Sequence, residues 1–298
     1  MNRILLILTI ILSIIYIVLD SSSNTTIFYT DVKKEINVKN TNTNKINKME
    51  LEEYVIGVVS AEMPASFEEE ALKAQAVASR TYAIYKINTS NKNYDVVTDV
   101  SNQGYITIDE MKNKWGDNFY KYYEKIKKAV EDTSGLIMYY NNEVVEAYYF
   151  AMSNGYTEEA EKVFSISKDY LKSVESKYDT TLKNFKVNKE ISKAEFCQKL
   201  NIICDNIEIT NIKRSKTNRI NEITINNKTF KGTEVRKLLN LRSTDFDILV
   251  KDNIIITTKG YGHGVGMSQY AAEGLAKEGY KYNDILKYFY QNIEINSI

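Results

Sequence analysis

Histidine occurs once and cysteine twice in the 298 residues. That scarcity argues against the usual zinc sets of several His and Cys ligands. Nothing beside either thiol would activate it as a nucleophile. Proline also occurs once, as Pro64. Neither sign of charge is in excess, since 39 basic side chains meet 39 acidic ones. Nucleic-acid binders need a clustered basic field, so no electrostatic case for that class exists. Three familiar glycine signatures are missing as well. Met267 stands where the third glycine of a dinucleotide fingerprint belongs, no Gly-Lys-Ser/Thr follows, and no Gly-x-Ser-x-Gly surrounds Ser268.

What is present is a glycine run around the lone imidazole. Gly260, Gly262, Gly264 and Gly266 alternate with other residues through Lys259–Ala272, and His263 lies among them. Glycine at this density permits positive φ and close backbone approach. The run ends in Met267-Ser-Gln-Tyr-Ala-Ala, which reads as a helix start. A glycine loop opening a helix beside an imidazole is a candidate site. Abundant Asn, Ile and Lys suggest an AT-rich codon bias, so most of the 23 tyrosines are read as ordinary core residues rather than sugar platforms.

Ile4–Leu19 is apolar apart from Thr9 and Ser13 and is flanked by Arg3 and Asp20. As a helix it rises about 24 Å, short of a bilayer core of ~30 Å but adequate with local adjustment. A signal-peptide core would look similar, but no small-x-small cleavage site follows. Residues 1–20 are therefore read as one N-terminal transmembrane anchor, with everything beyond Asp20 exported. Residues 21–48, rich in Ser, Thr, Asn and Lys, read as a flexible tether. Export permits a disulfide between Cys197 and Cys204, but spacing alone leaves open whether they pair.

The fold class expected is α+β: a two-lobed body with a central buried helix and a smaller inserted α+β lobe. Residues 49–175 and 251–298 would form the larger lobe, and 176–250 the inserted one. Met49–Ser60 reads as a short helix. Pro64 suits the first turn of the next, from Ala65 to about Ile87. There Leu72, Ala76, Ser79 and Ala83 make a stripe of mostly small residues that lets a neighbour approach closely. Lys73, Gln75, Arg80 and Tyr82 offer either a solvated face or a polar lining reaching toward Glu62. Lys114–Thr133 reads as one amphipathic helix, and Leu136–Tyr149 as a hairpin turning at Asn141-Asn142-Glu143. Between 207 and 230 the alternation is strand-like, with helices at 193–200 and 232–239.

Glu62 lies in an apolar frame of Val58, Val59, Ala61, Met63 and Ala65. Such surroundings disfavour the charged carboxylate and raise its pKa, as protonation of a leaving oxygen requires. Glu68, Glu69 and Glu70 fit the ordinary role of acids at a helix start. Glu62 is expected just outside the helix and fits that role less well.

Val58-Val-Ser-Ala-Glu-Met-Pro, Glu70-Ala-Leu-Lys-Ala-Gln-Ala-Val-Ala-Ser-Arg-Thr-Tyr, Asn102-Gln-Gly-Tyr, Ser153-Asn-Gly-Tyr, Gly232-Thr-Glu-Val-Arg and Gly260–Ala272 follow one another along the chain. Together these ordered motifs resemble the SpoIID family, the sporulation and amidase-modifier proteins of the bacterial cell wall. The resemblance implies a lytic transglycosylase of peptidoglycan with Glu62 as acid and then base. It implies substrate binding or site shaping by Lys73, Gln75, Arg80, Tyr82, Gln103, Ser153, His263, Ser268 and Gln269. It further implies glycan strands stripped of stem peptides as substrate, with a membrane-bound amidase and a membrane scaffold protein as partners. The location implied is the mother-cell membrane facing the septum. Some relatives carry zinc-binding His and Cys near 101–102 and 150–151. Here Ser101, Asn102, Phe150 and Ala151 stand there, so neither metal nor cofactor is expected.

Overall fold

Alternation buries Ile36 and Val38 and makes Glu35–Lys39 a strand (β1). A turn then leads into its antiparallel partner Ile46–Glu50 (β2). A computed structural model describes residues 34–99 and 101–298. The expected membrane anchor falls outside them, and no described helix is long and apolar enough to cross a membrane. Part of the expected tether is corrected here, because residues 35–39 and 46–50 are paired strands. Only two apolar residues carry the alternation in β1, too few to stand out among Asn and Lys.

Helix α1 (Leu51–Glu62) follows β2 directly and buries Tyr54, Val55, Val58 and Val59. Gly57 is required there: a Cβ would lie 2.3 Å from the ring of Tyr105, which stacks on Tyr54 at 5.5 Å. Helix α2 (Glu69–Thr89) starts four residues later than Pro64 suggested. Met63, preceding the proline, is extended (φ −112°, ψ 146°), as the proline ring demands. Phe67 then closes a turn onto the Pro64 carbonyl at 3.0 Å. The Glu68 amide donates to Glu273 Oε2 at 2.6 Å, so a distant carboxylate supplies the cap. Small side chains bury α2 on nearly every face, with Ala74, Ala76, Ala78 and Ala83 fully enclosed. It is the central helix the sequence predicts.

Val96–Val97 (β3) pairs in parallel with β1. The single amphipathic helix expected over 114–133 is two. Helix α3 (Ile108–Trp115) opens on a capping box between Thr107 and Glu110, and α4 (Phe119–Glu131) follows a short 3-10 turn. Gly116, at φ +52°, makes the break. Leu136–Tyr140 (β4) and Glu143–Val144 (β5) form the predicted hairpin. Asn141 and Asn142 both take positive φ, as a type I′ turn requires. The second strand is shorter than its apolar run suggested. Tyr149–Phe150 (β6) instead pairs elsewhere, as described below.

Beyond the short helix α5 (Ala160–Phe164), the chain builds a second apolar core from residues between Ile191 and Ile256. Its sheets combine Lys186–Ile191 (β7), Ile209–Arg214 (β8), Ile220–Ile225 (β9), Lys228–Lys231 (β10), Phe246–Val250 (β11) and Ile254–Lys259 (β12). They run β10-β9-β8 and β11-β12-β7. Helices Lys193–Leu200 (α6) and Gly232–Leu238 (α7) accompany them. Cys197 and Cys204 are disulfide-bonded, with Cα atoms 5.6 Å apart. The chain returns to the first core through Met267–Ser268 (β13), Gln269–Lys277 (α8), Tyr282–Phe289 (α9) and Glu294–Ser297 (β14). Strand β13 pairs in parallel with β6, and β14 pairs with β4. Glu35–Ile298 form one compact unit.

Candidate active site

Glu62 is the last residue of α1, not a residue outside it. Burial of Val58, Val59 and Met63 around it withdraws the carboxyl from water. The carbonyl end of the helix dipole also disfavours negative charge. Three groups oppose this. The Gly104 amide donates to Oε1 at 2.5 Å, Gln269 Nε2 lies 3.4 Å from Oε2, and Lys114 contributes its positive charge. Burial outweighs all three, and the carboxyl titrates above its ordinary range. Gly104 has no side chain for good reason, since a Cβ would sit 3.1 Å from Oε1.

Gln269 opens α8, immediately after Ser268 caps that helix by accepting the Ala271 amide at 3.4 Å. Its Nε2 also reaches Gln75 Oε1 at 3.3 Å, and Gln75 donates onward to Ser79 Oγ at 2.9 Å. Gln75 thus holds Gln269 from behind. Gln103 is committed too: it donates to Tyr54 Oη at 3.1 Å and accepts from Tyr149 Oη at 2.7 Å. Tyr82 accepts from Asn102 Nδ2 at 3.2 Å and presents its ring to the cavity.

That cavity, of about 600 Å³, has Glu62 and Gln269 in one wall. Tyr82, Tyr148, Phe150, Phe164 and Tyr261 supply apolar faces. A concave, largely apolar site with a few convergent polar groups suits a small organic ligand or one segment of a polymer. Glu62 is the single carboxyl side chain in its described lining. Among the described residues, no group of three or more His, Cys, Asp or Glu could hold a metal ion.

His263 also lines the cavity. Its Nδ1 accepts the Val265 amide at 3.1 Å, so the proton sits on Nε2, which donates to the Tyr149 carbonyl at 3.0 Å. Burial first, then the charges of Arg236 and Arg219, pull its pKa down to about 4. The ring is a neutral brace between the glycine loop and β6. A consequence follows for stability. From pH 6.5 down to about 4 the unfolded chain binds a proton at His263 that the native chain refuses. Native stability should therefore fall through that window, by about 1–2 kcal/mol after discounting for the ring's partial exposure. Denaturant titrations across pH should show a shallower fall in His263→Gln than in the parent.

The glycines of the loop are fixed by close packing. Gly266 (φ +77°) would place a Cβ 1.9 Å from the Tyr148 carbonyl, and Gly264 (φ +90°) one 2.7 Å from the Arg219 guanidinium. Ser153 and Ser268 meet at a residue the sequence did not single out. Asp179 Oδ2 accepts the Ser153 amide and the hydroxyls of Ser176 and Ser268, each at 2.8 Å. This buried carboxylate ties the Ser153-Asn-Gly turn to the cap of α8.

Two residues read as site candidates stand elsewhere. Lys73 pairs with Glu69 and Asp132, both at 2.9 Å, at the rim of α2 and α4. Arg80 is wholly enclosed, with a fork onto Glu52 at 2.6 and 2.7 Å and contacts to the Leu136 and Val130 carbonyls at 3.1 and 3.2 Å. Neither lines the cavity. They share one helical face, seven residues apart, and that face meets α4 instead of the pocket.

Sequence reading also passed over Lys114. Its ammonium donates to the Ser60 carbonyl at 2.8 Å, at the end of the helix that carries Glu62. Its charge favours the ionised form of Glu62. Lys114→Met should therefore raise the Glu62 pKa further. Activity that needs protonated Glu62 would then persist to higher pH, and a pH–rate profile with a basic limb moved upward is the expected result. Lys114 lay in a run of charges with no local mark, so only the folded chain reveals it.

Residues 39–140 match the profile of the stage II sporulation protein family, SpoIID. Stage II sporulation protein D of Bacillus subtilis is 42% identical over 270 residues, covering 88% of this chain and 78% of the relative. The protein of the same name from Bacillus amyloliquefaciens is 39% identical over 268 residues, covering 87% and 78%. An amidase enhancer of Bacillus subtilis is 29% identical over 299 residues, covering 81% of this chain and 40% of the relative.

Proposed function

The chain belongs to the SpoIID family of stage II sporulation proteins, and from that premise we propose that it is a lytic transglycosylase of peptidoglycan glycan strands. The observation that carries this reading is the solitary carboxyl of Glu62, held above its ordinary pKa in the wall of the cavity. Hydrolytic glycosidases ordinarily use two carboxylates flanking the bond. A single acid/base suits a reaction in which the sugar supplies its own nucleophile.

Protonated Glu62 gives its proton to the bridging oxygen between muramoyl and glucosaminyl units, and the bond from that oxygen to C1 breaks. The resulting carboxylate takes the proton of the muramoyl C6 hydroxyl, whose oxygen bonds to C1. The products are a 1,6-anhydro-muramoyl end and a free 4-hydroxyl; no water is consumed, and Glu62 ends protonated as it began. The amide of Gly104, the side chain of Gln269 and the charge of Lys114 are positioned to stabilise the transient carboxylate. The aromatic faces would hold the sugar rings. The proposed setting is septal wall remodelling during engulfment, with the catalytic body outside the mother-cell membrane and residues 1–20 as its proposed anchor.

Similarity to the amidase enhancer favours a second reading, in which the chain docks on a peptidoglycan amidase and stimulates it. Glu62→Ala separates the two. Mass spectrometry of peptide-free strands should find 1,6-anhydro ends with the parent chain and none with the variant. Should the parent make no such ends while both chains stimulate an amidase equally, the docking reading prevails.

A further inference from the structure

Arg236, whose charge helps keep His263 neutral, has surroundings unusual for an arginine. It lies on α7, between the buried Val235 and Leu239 that fix the helix on the second core. The side chain reaches the cavity wall, where it is the single cation in the described lining. His263 beside it is neutral. Among the described residues Arg236 makes no ion pair, and the one hydrogen bond of its side chain runs from Nε to the Leu241 carbonyl at 3.4 Å. Both terminal nitrogens are left without a protein partner.

The contrast with the two enclosed arginines is direct. Arg80 forks onto Glu52, and Arg219 bonds Thr217 Oγ1 and the Tyr156 carbonyl, each at 2.9 Å. A half-buried guanidinium costs solvation that a protein normally offsets with a carboxylate. Here the side chain lines a cavity whose one carboxyl among the described residues, Glu62, is held toward its neutral form. Such a fork matches a planar two-oxygen anion.

We propose that Arg236 is the specificity residue of the cavity, and that its guanidinium takes the free lactyl carboxylate of a peptide-free muramoyl unit. The assignment rests on the transglycosylase reading for the identity of the sugar. The carboxylate is free only after the stem peptide has been cut from the lactyl group. Arg236 therefore makes cleavage depend on a preceding amide-bond hydrolysis at that position. Glu62 comes from the first core and Arg236 from the second, and both line the same cavity.

The test is calorimetric binding of three disaccharides to the purified full chain. They are glucosaminyl-muramic acid, its methyl ester, and the same disaccharide bearing a stem peptide. The free acid should bind about tenfold or more tightly than the ester, as expected for a forked charged hydrogen bond. In Arg236→Gln the ratio should collapse toward one. Arg236→Lys, which keeps the charge without the fork, should fall between and guards against a folding defect. Equal binding of acid and ester by the parent, or an unchanged ratio in Arg236→Gln, would overturn the assignment. So would tight binding of the peptide-bearing sugar that depends on Arg236, since a peptide carboxylate would then be the ligand. Failure of the underlying reading looks different: no 1,6-anhydro ends form, yet the Arg236-dependent preference for the acid remains.

Discussion

Glu62→Gln should lower the rate of glycan cleavage by about 10³- to 10⁴-fold, the upper range for loss of one general acid/base group. The amide cannot donate a proton to the leaving oxygen or take one from the C6 hydroxyl, so both halves of the proposed reaction fail together. The variant keeps an oxygen for the Gly104 amide, now at 2.5 Å from Oε1, and nearly the same volume. Its unfolding midpoint should move little, within the range typical of benign substitutions, about 0.5 kcal/mol. Release of 1,6-anhydro ends over time, normalised to folded protein, is the measurement. A loss of tenfold or less would remove Glu62 from the chemistry.

Arg80→Ala should have the largest effect on stability. The parent side chain is fully enclosed, holds Glu52 through two nitrogens and satisfies two backbone carbonyls. Truncation takes a donor from the Leu136 and Val130 carbonyls, of which Val130 keeps the Thr133 amide at 3.2 Å, and leaves Glu52 without its counter-charge, which costs about 3–5 kcal/mol. Urea denaturation should show it as a lower midpoint with an unchanged slope. Well below that midpoint the variant should keep near-parental turnover per folded molecule, because Arg80 does not reach the cavity. Parental stability with lost turnover would return Arg80 to substrate binding.

Arg80 also illustrates what can be read from the chain and what cannot. Its place on a helix, and the enclosure of that helix by small residues, follow from spacing alone. Which neighbour its polar face meets does not, because α4 approaches from fifty residues away. The Asn141-Asn142 turn was legible because type I′ geometry needs positive φ at two adjacent positions, which Asn tolerates. The glycine loop was legible as a crowded surface, though not the crowding groups, the Tyr148 carbonyl and Arg219. Glu62 stood out through its apolar frame, whereas Gln269 entered only through the family resemblance. Asp179 and Lys114 carry no local mark, and Arg236 stood only as the last residue of the Gly232-Thr-Glu-Val-Arg motif, with no role read from it. Each acts through partners far away in sequence, and a carboxylate in a loop or a lysine among lysines looks like a solvated charge until the chain is folded. The same limit hid strands β1 and β2, whose pairing comes from register between two short polar segments.

The most direct measurement runs the reaction on peptide-free strands in water enriched in oxygen-18 and weighs the new muramoyl ends. The account predicts 1,6-anhydro ends with no label, because the C6 oxygen replaces water at C1. Reducing ends carrying one labelled oxygen would mean hydrolysis, and would contradict a mechanism built on Glu62 alone.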